Sequence, residues 1–334
     1  MMARGRPPPG RDVQEEDGMR WFWQRDQQQG MNGIGLHADG LSYARVLRER
    51  GRRPELLACE FLPCEGGEEQ QRTLAALVRR RQLQQGVCTT VLESGEYSLL
   101  QIEAPDVPAS ELRQAVRWRI KDQIDFHVDD AAIDVFELPG QAQRAGPRLM
   151  CAVAARASAI RGRVDRLLDC GAGLQVVDIA EMALRNLAAL LPEDVHGLAL
   201  LYFGREQGLL ALTRQAELYL ARGIALGADR LRAAAAQDPA ALERLVDAVA
   251  LEVQRSLDYY ESHFGLTPIR HLALAPLEQE IPGLGEALAS RTGLEVVPLD
   301  LNAQLDCPDV LPAGVQARCL LTVGAALRLE EKVL

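Results

Sequence analysis

The sequence has few aromatic residues, few histidines and no excess of positive charge. Aromatic side chains make up 4% of the 334 residues, and histidine occurs 5 times. The 37 basic side chains are outnumbered by 47 acidic ones, which gives a formal net charge of −10. Such a chain lacks the broad basic surface that binds phosphate backbones. The composition therefore argues against nucleic acid as a partner.

Long apolar runs and cysteine pairs are also missing. No apolar segment approaches the roughly 18 residues that a membrane-spanning helix needs, and the start of the chain lacks the apolar core of a signal peptide. The 7 cysteines are scattered without a Cys-x-x-Cys pair, so the sequence predicts neither a zinc site nor a disulfide framework. We therefore expect a soluble cytoplasmic protein with reduced, mostly buried thiols and no metal centre.

The first 30 residues differ in composition from the rest of the chain. Residues 1–30 are rich in proline, glycine and charge, which is typical of a disordered tail. Within them, Trp21, Phe22 and Trp23 stand between two arginines, an arrangement that suits a membrane interface or a partner groove. The alternative is that these aromatic side chains fold back onto the domain. Met19 is a second candidate start of the chain.

From residue 31 onward the pattern alternates between strand and helix periods. The stretches "GIGLHADG", "LSYARVLRE" and "PELLACEFLP" predict three hairpin-connected strands, and "EEQQRTLAALVRRRQL" predicts a helix. Three strands and a long helix, "ALERLVDAVALEVQRSLDYYESHFG", recur later. This repetition predicts a two-lobed α/β fold, with residues 31–196 as the first lobe and 197–334 as the second. An insert over about residues 106–146 interrupts the first lobe.

Four segments carry a resemblance to a known family. The stretches "ELRQAVRWRIKDQIDF", "VDIAEMALRNLAALL", "EVQRSLDYY" and "VGAALR", in this order, resemble the PilM family of type IV pilus assembly proteins over about residues 31–330. The resemblance implies a bilobed actin-like fold with an inserted subdomain, similar in architecture to FtsA and to the cytoplasmic domain of GspL. The resemblance does not decide whether the C-terminal helix returns to the first lobe. It also implies docking of the short cytoplasmic tail of an inner-membrane, PilN-like pilus protein.

The family also implies a nucleotide site made by three turns, and the first turn departs from the pattern. Nucleotide-binding members read like GIDIGSSSVK, in which the acidic residue helps to hold metal-bound phosphates. Here Gly33 is retained, but Gly35 occupies the acidic position and Asp39 is the candidate replacement. His37 and Asp39 are more typical of turn residues than of an acid–base pair.

The other two turns have lost similar features. In "LYFGREQG", Tyr202 stands at the acidic position while Gly204 remains. In "LAPLEQEIPGL", Pro276 stands where the family has a bare glycine backbone for the adenine, while Gly283 remains. We therefore expect a degenerate nucleotide site with no catalytic residue and no cofactor, and we keep binding of ATP and Mg as the alternative.

The insert helix retains the pattern of the family. In "SELRQAVRWRIKDQIDF" an apolar row at four-residue steps predicts a buried face, and Ser110 is the expected N-cap. The apolar row consists of Leu112, Val116, Ile120 and Ile124. The family places the partner's peptide between this insert and the first lobe. A charged row on a helix is usually a solvated face, and that interpretation stays open. The residues predicted to bind the partner are Arg113, Arg117, Trp118, Lys121 and Phe126.

Two classes of function follow from the sequence. The favoured one is a non-enzymatic scaffold of a pilus assembly platform, peripheral to the inner membrane through its partners, with self-association as a further candidate contact. The alternative is an ATP-binding switch of the same superfold. A phosphotransferase would need a carboxylate near the phosphate turns and a general base, and the sequence shows neither set.

Overall fold

The computed structural model describes residues 30–49, 51–140 and 148–329. The predicted tail, with Trp21, Phe22 and Trp23, lies outside the described residues. The strands in the described part of the chain are β1 (Met31–His37), β2 (Gly40–Leu47), β3 (Glu55–Pro63), β4 (Cys88–Leu92), β5 (Tyr97–Glu103), β6 (Ala131–Glu137), β7 (Leu149–Arg156), β8 (Leu174–Ile179), β9 (Leu198–Phe203), β10 (Gly208–Arg214), β11 (Glu217–Ile224), β12 (His271–Leu274) and β13 (Glu295–Pro298).

Helices alternate with these strands along the chain. They are α1 (Glu68–Arg81), α2 (Ala109–Ile120), α3 (Ala157–Asp169), α4 (Ala180–Ala188), α5 (Ala228–Gln237), α6 (Pro239–Phe264), α7 (Leu284–Thr292), α8 (Leu301–Gln304) and α9 (Ala313–Ala326), with short 3-10 turns at Val128–Asp130 and Pro192–Val195. The long helix α6 matches its sequence prediction. It starts at Asp238, whose side chain accepts from the amide of Ala241, and it stops at Gly265 in the left-handed conformation.

Two five-stranded sheets repeat one topology. The first has the order β3-β2-β1-β4-β8, and the second has the order β11-β10-β9-β12-β13. In each sheet a meander of three antiparallel strands is extended by two parallel strands. The long crossovers that parallel pairing requires contain α1 in the first sheet and α6 in the second. The repetition expected from the sequence is therefore present as topology.

A separate three-stranded sheet, β5-β7-β6, belongs to the insert. Its outer strands both pair antiparallel with β7, so the sheet runs from Tyr97 to Arg156. It thus extends beyond the predicted insert of residues 106–146 at both ends. Strands β6 and β7 were not predicted, because neither stretch shows a clear alternation of apolar and polar residues. We call residues 97–156, as far as they are described, the insert subdomain.

The first turn of α2 differs from its prediction. The helix begins at Ala109, and Pro108 occupies the N-cap without a side-chain hydrogen bond. Ser110 is therefore inside the helix and is not its cap. Of the predicted buried row, Val116 and Ile120 are fully buried. Leu112 and Ile124 pack against the same cluster but are only partly buried, and Ile124 follows the end of the helix.

The C-terminal helix α9 packs on the first lobe and also joins the two lobes. It contacts β1, β2 and α4, and its Leu320 and Val323 belong to a buried cluster shared with Val46 of the first sheet and Leu200 of the second. The helix was predicted from Cys319 but begins earlier, at Ala313. Its first turns have no apolar period, because the buried residue there is Gln316, whose Oε1 accepts from the amide of Leu301 at 2.7 Å.

All seven cysteines are free, and Cys64, Cys88, Cys151 and Cys319 are buried. Over the described ranges, no helix is both long enough and apolar enough to cross a membrane.

Candidate functional site

The three predicted turns meet at a cleft of about 400 Å³ between the two five-stranded sheets. Gly35 and Asp39 come from the β1–β2 hairpin, Gly204 from the β9–β10 turn, and Pro276 from the loop after β12. Helix α9 closes one side with Arg318 and Thr322. The sequence indicated the three turns but did not indicate α9, which forms part of the wall of the cleft.

Gly35 faces a space that other side chains already fill. A Cβ atom at this position would collide with the Ser42 hydroxyl and would lie 2.8 Å from Thr322 Oγ1 and 2.9 Å from His37 Nε2. Real Cβ atoms are essentially never that close to other heavy atoms. With these side chains in place, position 35, where the sequence analysis looked for an acid, has no room for a carboxylate.

Gly33 and Gly283 have reasons to be glycine that do not involve a phosphate. A Cβ on Gly33 would strike the backbone carbonyl of Thr322, so this glycine lets α9 lie directly on β1. Gly283 has φ +77°, a left-handed conformation, and it precedes α7. Neither residue lines the cleft.

A chain of hydrogen bonds fills the space beside Gly35. His37 Nδ1 lies 2.6 Å from Glu93 Oε1, and His37 Nε2 lies 2.7 Å from Ser42 Oγ. Ser42 Oγ is in turn 2.5 Å from Thr322 Oγ1 on α9. Burial opposes ionisation of Glu93, but the hydrogen bond and charge of His37 lower the pKa of its carboxyl. Glu93 therefore acts as an acceptor, and Nδ1 of the ring donates to it.

The order Glu93, His37, Ser42 resembles that of a hydrolase triad, but Ser42 cannot be reached by a substrate. Ser42 is completely buried, and its hydroxyl is already shared with Thr322. A nucleophile needs a free approach for the substrate carbonyl. Ser42 has none, so the chain of bonds joins the first hairpin to the β4–β5 turn and to α9.

Asp39 is bound by two arginines from other parts of the chain. Its Oδ2 accepts from Arg205 Nη1 at 2.9 Å, and its Oδ1 accepts a short bond from Arg318 Nη2. Burial opposes the shift, but the hydrogen bond and charge of Arg318, followed by the charge of Arg205, lower the pKa of Asp39. His37 and Asp39 have separate partners and do not form a pair.

The residues of the cleft do not fit a magnesium nucleotide in the manner of the nucleotide-binding relatives. Tyr202 replaces the second acid, and burial raises the pKa of its hydroxyl to about 12, so it stays neutral. Pro276 and Leu277 line the wall where bare glycine backbone would be needed. Asp39 remains as a carboxylate, but the two arginines already neutralise it. Within the described ranges, no group of three or more His, Cys, Asp or Glu side chains could hold a metal ion.

The basic row on α2 is largely paired within the insert subdomain. Arg117 Nη1 donates to the carbonyl of Val128 at 2.7 Å, and Arg113 Nη2 lies 3.5 Å from Asp134 Oδ1. Trp118 is 64% exposed, and Lys121 Nζ lies 5.8 Å from the centre of its ring. Arg117 therefore holds the turn before β6, whereas Arg113, Trp118 and Lys121 are the exposed candidates.

The two faces of the insert sheet show that α2 lies away from the first lobe. The face that carries Ile102, Met150 and Ala152 packs against Val116 and Ile120 of α2. Alternate residues of a strand point to opposite faces. The other face therefore carries different side chains, which approach the first lobe.

This second face forms an apolar boundary with the first lobe. Leu99 and Val153 of the insert pack in one cluster with Val177 and Met182 of the first lobe. All four side chains are only partly buried. We call these four residues the insert seam. The five predicted partner-binding residues are not part of it, and Phe126 packs with the α2 side, where Arg156 Cζ lies 4.6 Å from its ring centre.

A buried polar pair lies next to the insert seam. The Tyr97 hydroxyl donates to Glu181 Oε2 at 2.5 Å and accepts from the amide of Ala180 at 3.2 Å. Burial raises the pKa of Glu181, which is 6% exposed, while the bond from Tyr97 partly opposes that rise. This pair fixes the start of α4 against the first strand of the insert.

Several residues of the site were not found by sequence reasoning. Glu93, Arg318 and Thr322 are contributed by elements far along the chain, and Ser42 meets Thr322 across 280 positions. One local signal was available, because two glycines separated by one residue in a strand indicate close approach of another backbone. That signal predicts an approach but does not say which segment approaches.

The fold is the actin-like ATPase fold with an inserted subdomain. No family model matches the chain, and no curated protein matches it. Among solved structures, the chain is similar to a PilM-PilN type IV pilus biogenesis complex at 22% identity and a TM-score of 0.68, over 89% of this chain and 98% of that one. The cytoplasmic domain of EpsL, an inner-membrane component of the type II secretion system of Vibrio cholerae, has 14% identity and a TM-score of 0.47, over 90% and 96%. A Bacteroides thetaiotaomicron protein with an actin-like ATPase fold has 10% identity and a TM-score of 0.47, over 90% and 97%.

Proposed function

We propose that this protein is a non-enzymatic scaffold of a type IV pilus assembly platform. In this role it docks the cytoplasmic peptide of a PilN-like inner-membrane protein in the insert seam. The similarity to PilM supports the proposal because it covers 89% of this chain and 98% of the solved one. The solved relative is itself a complex with PilN. The protein would then be cytoplasmic and held at the inner membrane through its partner.

The observation that carries the docking site is the partial burial of apolar side chains on both sides of the insert seam. Leu99 and Val153 on one side and Val177 and Met182 on the other leave apolar surface in contact with water. Partly exposed apolar side chains on both sides of a boundary make a candidate interaction surface. An extended peptide with apolar residues would cover it and bind through a few central contacts.

Binding of a synthetic peptide tests this site. The peptide would carry the cytoplasmic N-terminal sequence of the PilN-like protein of the same pilus system, and its affinity for the full chain would be measured by calorimetry. We expect Leu99→Asp and Met182→Ala to weaken binding by about tenfold or more, since central interface residues contribute at least about 1–2 kcal/mol. Thermal unfolding of each variant checks that it remains folded.

Trp118→Ala is the matched control, because Trp118 is an exposed apolar residue on the outer side of α2. We expect this variant to bind as tightly as the parent protein. Loss of binding in Trp118→Ala, with the seam variants unaffected, would move the docking site to the α2 face predicted from the sequence. Binding that is unchanged in every variant, or absent from the parent protein, would contradict docking of this class of peptide at either face.

The degenerate cleft supports a role without nucleotide chemistry over the ATP-binding alternative. The filled space at Gly35 and the paired state of Asp39 are the supporting observations. A thermal-shift titration with Mg-ATP discriminates the two, because a ligand at about 100 times its Kd stabilises a protein by about 2.7 kcal/mol. We expect no saturable shift at millimolar nucleotide, and a clear one would favour the switch.

Within the pilus systems, we assign the chain to the mannose-sensitive haemagglutinin (MSHA) type, whose corresponding protein is MshI. The support is the resemblance of the insert helix, "ELRQAVRWRIKDQIDF", and of the terminal "VGAALR". Capture of the full chain by the membrane proteins of an MSHA assembly system, but not by those of another pilus type, tests this assignment. The same experiment with two differently tagged copies tests self-association.

A further inference from the structure

The mouth of the cleft carries a continuous network of ion pairs. Arg318 Nη1 lies 3.1 Å from Glu278 Oε1, and its other terminal nitrogen binds Asp39. Arg205 Nη1 lies 2.9 Å from Asp39 Oδ2, and Arg205 Nε lies 3.5 Å from Asp229 Oδ2. Arg232 Nη2 completes the network at 2.6 Å from Asp229 Oδ1. We call these six residues the cleft network.

The cleft network crosses from one lobe to the other at two places. Asp39 belongs to the β1–β2 turn of the first lobe, and Arg205 belongs to the β9–β10 turn of the second. Arg318 lies on α9, which packs on the first sheet, and Glu278 lies in the loop after β12 of the second. The shared hydrophobic core joins the lobes through apolar residues. The two crossings add charged contacts between the lobes at the cleft.

We propose that the cleft network is an ionic latch that holds the two lobes closed without a bound nucleotide. Three arginines balance three carboxylates in it, so the latch neutralises its own charge. Arg318 is its central residue, with a side chain only 12% exposed and a guanidinium carbon 3.9 Å from the centre of the Phe61 ring. Burial strengthens its pairs because water screens them less.

Other side chains of the latch are exposed enough for dissolved salt to screen their ion pairs. Asp39 is 45% exposed and Arg205 is 55% exposed. Pairs with this exposure are individually weak and are screened as ionic strength rises, whereas pairs that share one buried arginine reinforce each other. We therefore expect the latch to release at high salt, so that the cleft opens as ionic strength rises.

The test measures the distance between the lobes of the full chain. One fluorophore would be attached to each lobe away from the cleft, and energy transfer would be recorded for the parent protein and for Asp39→Asn and Arg318→Gln. We expect both variants to raise the open population about tenfold at low salt, which corresponds to about 1.4 kcal/mol. The double variant should open further than either single variant, because Asp39→Asn breaks the crossing to Arg205 whereas Arg318→Gln breaks the crossing to Glu278. The parent protein should open in about 1 M salt, where the Debye length is about 3 Å.

Asp134→Asn is the matched control. It removes one carboxylate from an exposed pair with Arg113 in the insert subdomain, far from the cleft, and we expect no change in energy transfer. The latch is refuted if Asp39→Asn and Arg318→Gln both transfer energy like the parent protein at low salt, because the shared core alone would then hold the lobes. A double variant that opens no further than either single variant would likewise contradict a latch with two crossings.

Discussion

Replacing Gly33 with alanine tests whether the first glycines serve helix packing or a phosphate. Gly33 is buried in β1, and a Cβ there would strike the carbonyl oxygen of Thr322 while lying 3.0 Å from its methyl carbon. The obstacle is the backbone of α9, which cannot rotate away as the end of a side chain can. We therefore expect α9 to be pushed off β1 even in the absence of any ligand.

The magnitude follows from two opposing contributions. Forcing extra atoms into a packed interior costs about 1–3 kcal/mol, and a backbone obstacle places this site near the upper end. Alanine also reduces the entropy of the unfolded chain, which gains about 0.4–1 kcal/mol. The clash is larger, so Gly33→Ala should lower the free energy of unfolding by about 2 kcal/mol.

Gly223→Ala provides the matched control for this prediction. Gly223 also lies in a strand, at an ordinary φ, but nothing is within 4 Å of a Cβ built there. This variant should be unchanged or slightly more stable than the parent protein. Urea unfolding followed by circular dichroism measures both, and hydrogen exchange shows whether α9 alone loses protection. If Gly33→Ala and Gly223→Ala unfold at the same urea concentration, the packing argument for Gly33 is wrong.

Three further predictions concern other parts of the chain. Arg117→Glu should destabilise the insert subdomain by about 1–3 kcal/mol, because it removes the donor to the Val128 carbonyl. Limited proteolysis of the insert measures this loss of stability. An insert that resists the protease as well as the parent protein does would refute the prediction. Deleting residues 1–30 should leave the melting temperature nearly unchanged while reducing recovery with membranes, and a large fall in melting temperature would instead place the aromatic trio in the core. The folded pKa of Glu181 is raised above 4.5, so the folded state holds this proton more tightly than the unfolded state. Stability should therefore fall as pH rises from about 4.5 through the folded pKa, and a Glu181→Gln variant with the same pH profile would contradict this.

Apolar spacing predicted helices and their buried faces correctly where that spacing was regular. Leu74, Leu77 and Val78 on α1 are buried as their spacing indicates. The spacing failed for β7, because alternate residues there face two different cores and both sets are apolar. It also missed α5, a helix of ten residues in which Leu231 is the one buried side chain.

The basic row on α2 shows what a residue pattern alone leaves undecided about a docking site. Arg113 and Arg117 do lie on one side of the helix, but their partners come from the loop and strand that follow. Whether a charged side chain is available to a partner depends on what the rest of the chain places beside it. The sequence records the side chains and not those neighbours.

The sequence by itself determined the repeated three-strand and helix order, the absence of an acidic side chain at positions 35 and 202, and the buried residues Val116 and Ile120 of the insert helix. These features depend on residue type and on short-range spacing, which a chain carries locally. Only the tertiary structure decided that α9 fills the place beside Gly35, and that Asp39 pairs with Arg318 across 279 positions. Contacts of that kind form when distant segments are brought together by burial of the shared core, and no local pattern encodes them.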